Sequence, residues 1–362
     1  VHLSTITTYQ WRNITSGKIT LAPGVNVIRG KNGQGKTNFL EAIHVLSLTK
    51  SFRTSESDEL VAWGKDEWSV FGEIVERYGS FQLGVSQSHE GKKLYLQGQP
   101  IKAAQEYLGR FLTVTFSPAS LELIQGAPSV RRKFLDRYLA DITPSILNPL
   151  FTYQKALQNK NRLLKEGKGT PQDIDPWNEL LARQGAEIIR GRENFVHNLS
   201  QQVQEIHRTF GAGDGVLELS VKSSLGEAGK NYETFLNHLT KNREREVGYR
   251  GALYGPHRDD LIMTLNGRDV RTHASQGQTR SIVLSLLLGV LTLLEKERED
   301  SPVVLLDDVN SELDEKRSDQ FFSYLNNSKR QIIITGTDVS VGHLTERSGF
   351  TMFEVVSGAI ST

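Results

Sequence analysis

The feature that most constrains this chain is the run Gly30-Lys31-Asn32-Gly33-Gln34-Gly35-Lys36-Thr37: a glycine, four residues, then Gly-Lys-Thr. Before it, Val25-Asn26-Val27-Ile28 is apolar enough for a buried strand. After it, Asn38-Phe39-Leu40-Glu41-Ala42-Ile43 spaces apolar side chains as a helix does. Strand, glycine-rich turn and helix is the setting in which such a run cradles phosphates. Gly30, Gly33 and Gly35 can adopt positive φ, which lets backbone N–H groups turn inward onto an anion. The helix N-terminus adds partial positive charge. In that geometry Lys36 reaches β- and γ-phosphate oxygens and the Thr37 hydroxyl coordinates Mg²⁺. Asn32, Gly33, Gln34, Gly35 and Asn38 complete the cradle.

The rest of the chain reads as an α/β protein with an interruption. Residues 1–118 are mostly strands around the first helix, including Ser69–Val75, Phe81–Val85 and Leu112–Phe116. From about 119 to 250 helix formers dominate. Leu150, Tyr153, Leu157 and Leu164 share one helical face, Gly167 to Pro171 break that helix, and Pro176 lies just before the next. Thr234 to Glu246 reads as one further helix. From 251 to 362 strands return, with a hairpin turn at Asn266-Gly267 and a long helix over about 278–298. Three segments follow: a first core part (1–118), an inserted helical lobe (119–250) and a second core part (251–362). Among 362 residues there is no cysteine, which excludes disulfides and thiolate metal sites. The N-terminus lacks a signal-peptide profile. Ile282 to Leu294, the most apolar run, is too short for a membrane span and reads as a buried helix. The expectation is a soluble, cytoplasmic protein.

Val303-Val304-Leu305-Leu306-Asp307-Asp308 is an apolar strand ending in two carboxylates. Asp307 stands where a strand-end aspartate holds Mg²⁺ beside the phosphate loop. Asp308 points elsewhere and suits orienting or deprotonating a water. Ser275-Gln276-Gly277-Gln278 opens the long helix and offers a second anion site, with Ser275, Gly277 and Gln278 as its donors. Taken alone, that stretch is a serine cap.

In this order the motifs resemble the ATP-binding-cassette ATPases, in the branch of the chromosome-maintenance and Rad50 heads. Over about residues 3–340 the chain resembles the bacterial recombination-mediator family RecF. The resemblance is carried by Trp11-Arg12-Asn13, Gly33 to Ile43, Lys50-Ser51-Phe52-Arg53, Phe116-Ser117-Pro118, Pro128 to Asp136, Gly255-Pro256-His257-Arg258-Asp259-Asp260-Leu261 and Leu305 to Asp314. It implies a cassette head with a mixed sheet, an antiparallel β subdomain and an inserted lobe. Further, it implies that Arg12 and Asn13 line the nucleotide site, and that Ser311 to Asp314 cross a dimer interface. The implied activity is slow, DNA-dependent ATP hydrolysis: ATP and Mg²⁺ close a homodimer on double-stranded DNA at gaps or junctions. RecO and RecR then help load recombinase on single strands. Asp308, where transporter cassettes carry glutamate, and Thr335-Gly336-Thr337, where they carry a switch histidine, both point to slow turnover. Thr335 or Thr337 could sense a phosphate through its hydroxyl. Ser117-Pro118 occupies the place of the Rad50-type glutamine, leaving that metal ligand unassigned. For His257 to Asp260 a structural role joining lobe to core is as plausible as a chemical one. Rivals are a Rad50-like or nuclease-coupled ATPase, a transport ATPase and a non-hydrolysing scaffold.

Charge is balanced overall (+1), but between 128 and 168 nine Lys or Arg face three acids. Arg131, Arg132, Lys155, Lys160, Arg162 and Lys165 are the candidate DNA contacts, and Lys155 and Arg162 share a helix face. Without a base-reading motif, binding would be to phosphates and insensitive to sequence.

Overall fold

A computed structural model describes residues 1–167, 170–210, 215–298, 301–309, 315–326, 330–337 and 349–362. The chain forms two compact units, Val1–Leu121 with Arg280–Thr362, and Glu122–Thr279.

The first unit holds two six-stranded sheets. In one, Thr113–Phe116, Val303–Asp307, Ile332–Gly336, Val25–Arg29 and Thr351–Val356 run parallel in that order, with Ala359–Ser361 antiparallel at the edge. Its central strands are apolar on both faces because both are covered; Val303, Val304, Leu305 and Leu306 are fully buried. Asn26, one of the buried polar residues in this sheet, uses its amide on Ala22 N and O, each at 2.8 Å. The other sheet is an antiparallel meander, ordered Gly17–Thr20, His2–Tyr9, Trp68–Glu76, Gly79–Ser88, Gly91–Leu96 and Gln99–Ile101. In Trp68–Glu76 buried and half-buried residues alternate, the period-2 signature of a sheet with one face on the core.

Helix Lys36–Leu48 shares one buried cluster with both sheets. Phe39, Leu40, Ile43 and Leu46 meet Leu3, Ile6, Val70 and Ile74 of the meander and Ile28, Leu305 and Ile333 of the parallel sheet. Each such side chain contributes about 1.5–3 kcal/mol. Gly72 permits the close approach, since a Cβ there would lie 2.3 Å from Leu46 Cδ2. This helix is thereby locked with its N-terminus at the ends of Val25–Arg29 and Val303–Asp307.

The second unit runs from 122 to 279, not from 119 to 250 as the sequence suggested. Residues 251–279 join it because Asp260–Leu265 pairs antiparallel with Leu217–Lys222, and Arg268–Asp269 completes that small sheet. The hairpin turn is the expected one, with Asn266 and Gly267 both at positive φ. Helix Leu147–Glu166 ends at Gly167 in the left-handed region and packs on Pro171–Phe210, a helix of 40 residues. Pro176 lies inside that helix rather than before it, at the loss of a single backbone bond near the end. Gly185 lets it approach its neighbours: a Cβ would lie 2.6 Å from Phe235. The expected helix Thr234–Glu246 is two, Tyr232–Lys241 and Arg243–Tyr249, parted at Asn242.

Helix Gln276–Arg298 is by composition long and apolar enough to cross a membrane, yet 78 % of its most apolar stretch is buried inside the protein. That is the state of a core helix.

Candidate nucleotide-binding site

Gly35 caps helix Lys36–Leu48 at φ 116° and offers no side chain to cap the helix end. A Cβ on Gly35 would lie 2.8 Å from Ile14 Cδ1 and 2.9 Å from Asn13 Oδ1, so glycine alone fits there. The first intrahelical bond runs from Phe39 N to Gly35 O. The N–H groups of Lys36, Thr37 and Asn38 therefore lack an intrahelical acceptor and form a positive end suited to an anion. Lys36 Nζ donates to Gly30 O at 2.7 Å and Lys31 O at 3.0 Å, folded back over the loop. Burial pulls its pKa down, and Asp308 and Asp307 pull against that. Gln34 instead ties the loop to the C-terminal hairpin. Its Oε1 accepts from Ser357 N, and its carbonyl accepts from Gly358 N at 3.0 Å.

Thr37 Oγ1 donates to Asp307 Oδ1 at 2.8 Å, uniting two motifs from opposite ends of the chain. Thr335 Oγ1 donates to the same oxygen at 2.7 Å; this buried hydroxyl turns to Asp307 rather than to open space above the loop. Burial raises the pKa of Asp307, which the Thr335 and Thr37 hydrogen bonds oppose; Asp308 adds to the rise, and Arg53 opposes it. A buried carboxylate carrying an unfavourable charge beside a hydroxyl oxygen is a donor set that a hard divalent cation would relieve. Together with the unbonded N–H groups, the residues fit a nucleotide triphosphate with Mg²⁺. Asp308 is exposed and sits at φ 50°, a left-handed conformation that aspartate tolerates better than most residues.

A collar surrounds the loop. Trp11 Nε1 donates to Asn38 O at 2.7 Å, Asn13 Nδ2 to Gly33 O at 3.2 Å, and Asn38 Nδ2 to Asn13 Oδ1 at 2.7 Å. Arg12 forms a bidentate pair with Glu41, and Arg53 Nη1 donates to Asn38 Oδ1 at 2.7 Å. No pattern in the sequence marks Glu41 or Arg53 as a site residue. The stretch Lys50-Ser51-Phe52-Arg53 is the available signal, but its place beside the loop depends on tertiary packing.

Ser275, Gly277 and Gln278 belong to the second unit. Ser275 Oγ accepts from Gln278 N at 3.3 Å and Gln278 Oε1 accepts from Ser275 N at 2.9 Å, a reciprocal capping box. Ser275 and Gly277 are exposed, as is Asn32 of the loop. Ser311 to Asp314 lie outside the described residues.

The candidate DNA contacts divide sharply. Arg131 is buried and pairs bidentately with Asp260 at 2.7 and 2.9 Å. Lys160 is fully buried and paired with Glu246 at 2.6 Å. Neither side chain can reach a phosphate on the surface, which corrects both assignments: each charge is neutralised by an acid distant in sequence. Arg132 is half-buried, with Nη1 on Asp259 O at 2.8 Å. Lys155, Arg162 and Lys165 are exposed on helix Leu147–Glu166.

Gly255 to Asp260 knit the second unit internally. Arg192 binds Asp136 through two hydrogen bonds (2.8 and 2.9 Å), Pro256 O at 2.7 Å and Asp259 at 3.1 Å. His257 Nε2 faces Ala252 O at 3.3 Å, so it is the protonated nitrogen, and Nδ1 accepts from Tyr153 at 2.7 Å. Burial accordingly pushes its pKa down to about 4, against the Ala252 bond, and Arg258 adds to the fall. A structural role is therefore supported for this motif, but within the lobe.

Comparison with known proteins agrees with this architecture. The family model described as RecF/RecN/SMC N terminal domain matches residues 2–355. The DNA replication and repair protein RecF of Desulfitobacterium hafniense (strain DSM 10664 / DCB-2) is 37 % identical over 358 residues, 97 % of this chain and 96 % of that one. RecF of Bacillus subtilis (strain 168) is 34 % identical over 359 residues, covering 97 % of each chain. A solved structure of the recombination mediator protein RecF with ATP, from the RecFOR pathway, superposes with a TM-score of 0.90 at 34 % identity, over 99 % of this chain and 96 % of that one. The fold is thus the α/β head of an ABC-type ATPase with an inserted lobe, and the chain belongs to the RecF family of DNA replication and repair proteins.

Proposed function

We propose that this chain is an ATP-dependent, DNA-binding recombination mediator in which nucleotide works as a dimer switch. The observation that carries this reading is the 2.8 Å bond from Thr37 to Asp307 at the open end of helix Lys36–Leu48. It joins the helix after the glycine-rich loop to the end of strand Val303–Asp307, the two parts that such a nucleotide site requires. ATP bound to the relative named above supports the same use here.

Lys36 would exchange the carbonyls of Gly30 and Lys31 for the β- and γ-phosphate oxygens, while the N–H groups of residues 36–38 receive the same anion. Thr37 and Asp307 would hold Mg²⁺, which supplies charge neutralisation on the phosphates. Asp308 orients or deprotonates the attacking water. Its carboxylate is one methylene shorter than a glutamate's, so turnover is slow, below about one per second. Ser275 of a second copy closes over the γ-phosphate and makes the homodimer depend on ATP. Lys155, Arg162 and Lys165 then meet duplex phosphates without reading bases. The target in this reading is DNA gaps or junctions, the partners are RecO and RecR, and the outcome is recombinase loading; kinship with a protein of the RecFOR pathway supports it.

Light scattering on the full chain tests the switch. With MgATP the parent should double in mass. Lys36→Ala, which removes a charged contact worth about 1.5–3 kcal/mol, should stay monomeric with an unchanged circular dichroism spectrum. Equal dimerisation by both proteins would overturn the site.

A further inference from the structure

Glu41 lies on helix Lys36–Leu48 one turn beyond the phosphate loop, with its carboxylate wholly buried. A buried carboxylate persists only when it is paired and hydrogen-bonded, and this one is engaged on every side. Arg12 Nε and Nη2 donate to its two oxygens at 2.5 and 2.9 Å. Ser51 Oγ donates to Oε1, and Arg53 Nη1 lies 3.5 Å from Oε2. Ser51 in turn accepts from Arg53 N at 2.8 Å and Thr54 N at 3.1 Å, so Glu41 anchors the turn that presents Arg53.

Two guanidinium groups thus share one carboxylate, so Glu41 by itself balances only one of the two positive charges. Both adjoin the phosphate loop. Arg12 adjoins Asn13, whose amide touches Gly33 O, and Arg53 is held by Asn38 of the loop's own helix. Arg53 keeps 42 % of its side chain exposed. A charge pair built only for stability has no need of a second, half-exposed arginine over an anion site.

We infer that Glu41 is a positioning residue: its buried carboxylate holds Arg12 and Arg53 at the mouth of the phosphate loop, where their positive charge in excess of Glu41 meets the phosphates of a nucleoside triphosphate. This inference rests on the nucleotide site proposed above. Glu41 touches no phosphate itself and acts through the two arginines. Glutamine at 41 would keep the size but remove the charge, freeing both guanidinium groups to reorient.

The test is a double-mutant cycle on binding of a fluorescent ATP analogue to the full chain, with melting temperature measured in parallel. Glu41→Gln should weaken binding about tenfold, and Glu41→Asp, which withdraws the carboxylate by one methylene, by less. In an Arg12→Ala/Arg53→Ala background, Glu41→Gln should change affinity by less than twofold, because there is no arginine left to position. An equal loss in both backgrounds would make Glu41 a structural residue and overturn the inference. Unaltered affinity in Glu41→Gln alongside a loss in Lys36→Ala would overturn the inference and leave the nucleotide site standing. Parental affinity in Lys36→Ala would remove both.

Discussion

Ser275 has two possible jobs, and their magnitudes separate them. As a helix cap its hydroxyl accepts one bond from Gln278 N at 3.3 Å, long for such a bond. The reciprocal bond, Gln278 Oε1 to Ser275 N at 2.9 Å, uses the backbone of residue 275 and survives any side chain there. Cap replacements cost about 0.5–2 kcal/mol, and with the reciprocal bond retained Ser275→Arg belongs at the low end, about 0.5 kcal/mol. Such a loss changes an equilibrium by only about twofold, since 1.4 kcal/mol is tenfold. If exposed Ser275 instead faces the γ-phosphate on a second copy, arginine obstructs closure and dimerisation falls by orders of magnitude. Monomers should still bind ATP through Lys36 and Thr37. Light scattering of Ser275→Arg with MgATP, beside its ATP affinity and melting temperature, distinguishes the cases. Full ATP-dependent dimers from a protein destabilised by about 0.5 kcal/mol would reduce Ser275 to a cap and refute the composite site.

Asp308→Asn should preserve the backbone, because asparagine tolerates the left-handed φ of 50°; phosphate release should slow while ATP-loaded dimers persist, and parental turnover would remove Asp308 from the chemistry. Asp307 has a raised pKa in the folded state, so its ionisation opposes folding. The penalty is absent below the ordinary carboxylate range, sets in as pH rises through it, and is complete above Asp307's own value. Asp307→Asn should therefore raise the melting temperature of the metal-free protein at neutral pH while abolishing Mg²⁺-dependent dimerisation; a lower melting temperature would contradict this. Reversing Lys155 and Arg162 to glutamate should weaken binding to any duplex and flatten log affinity against log salt by about 0.9 per lost contact, and an unaltered slope would place the DNA elsewhere. Lys160→Ala, by contrast, strands the buried Glu246 carboxylate and should destabilise the protein by about 3–5 kcal/mol, read by chemical denaturation.

Local chemistry was legible in the sequence alone. The run holding Gly33, Gly35, Lys36 and Thr37 predicted a strand, a glycine-rich turn and a helix, and it lies between Val25–Arg29 and the start of Lys36–Leu48 as expected. The apolar run Val303 to Leu306 implied a strand carrying Asp307 to its end, and Asn266-Gly267 specified its own turn. Each of these rests on contacts within a few residues, which is why a linear pattern suffices. The fate of the charges did not. Lys160 and Arg162 are two residues apart on one helix, yet the first is buried against Glu246 and the second is exposed. Arg131 reads as basic until Asp260, 129 residues on, neutralises it. The lobe's end also moved to Thr279, because the partner of Asp260–Leu265 is a strand inside the lobe. Arg53 became a neighbour of the phosphate loop and of Glu41 only when the turn at Ser51 folded against helix Lys36–Leu48. Whether a charge meets water, an acid or a ligand is set by what packs over it, and that partner is usually remote in the chain.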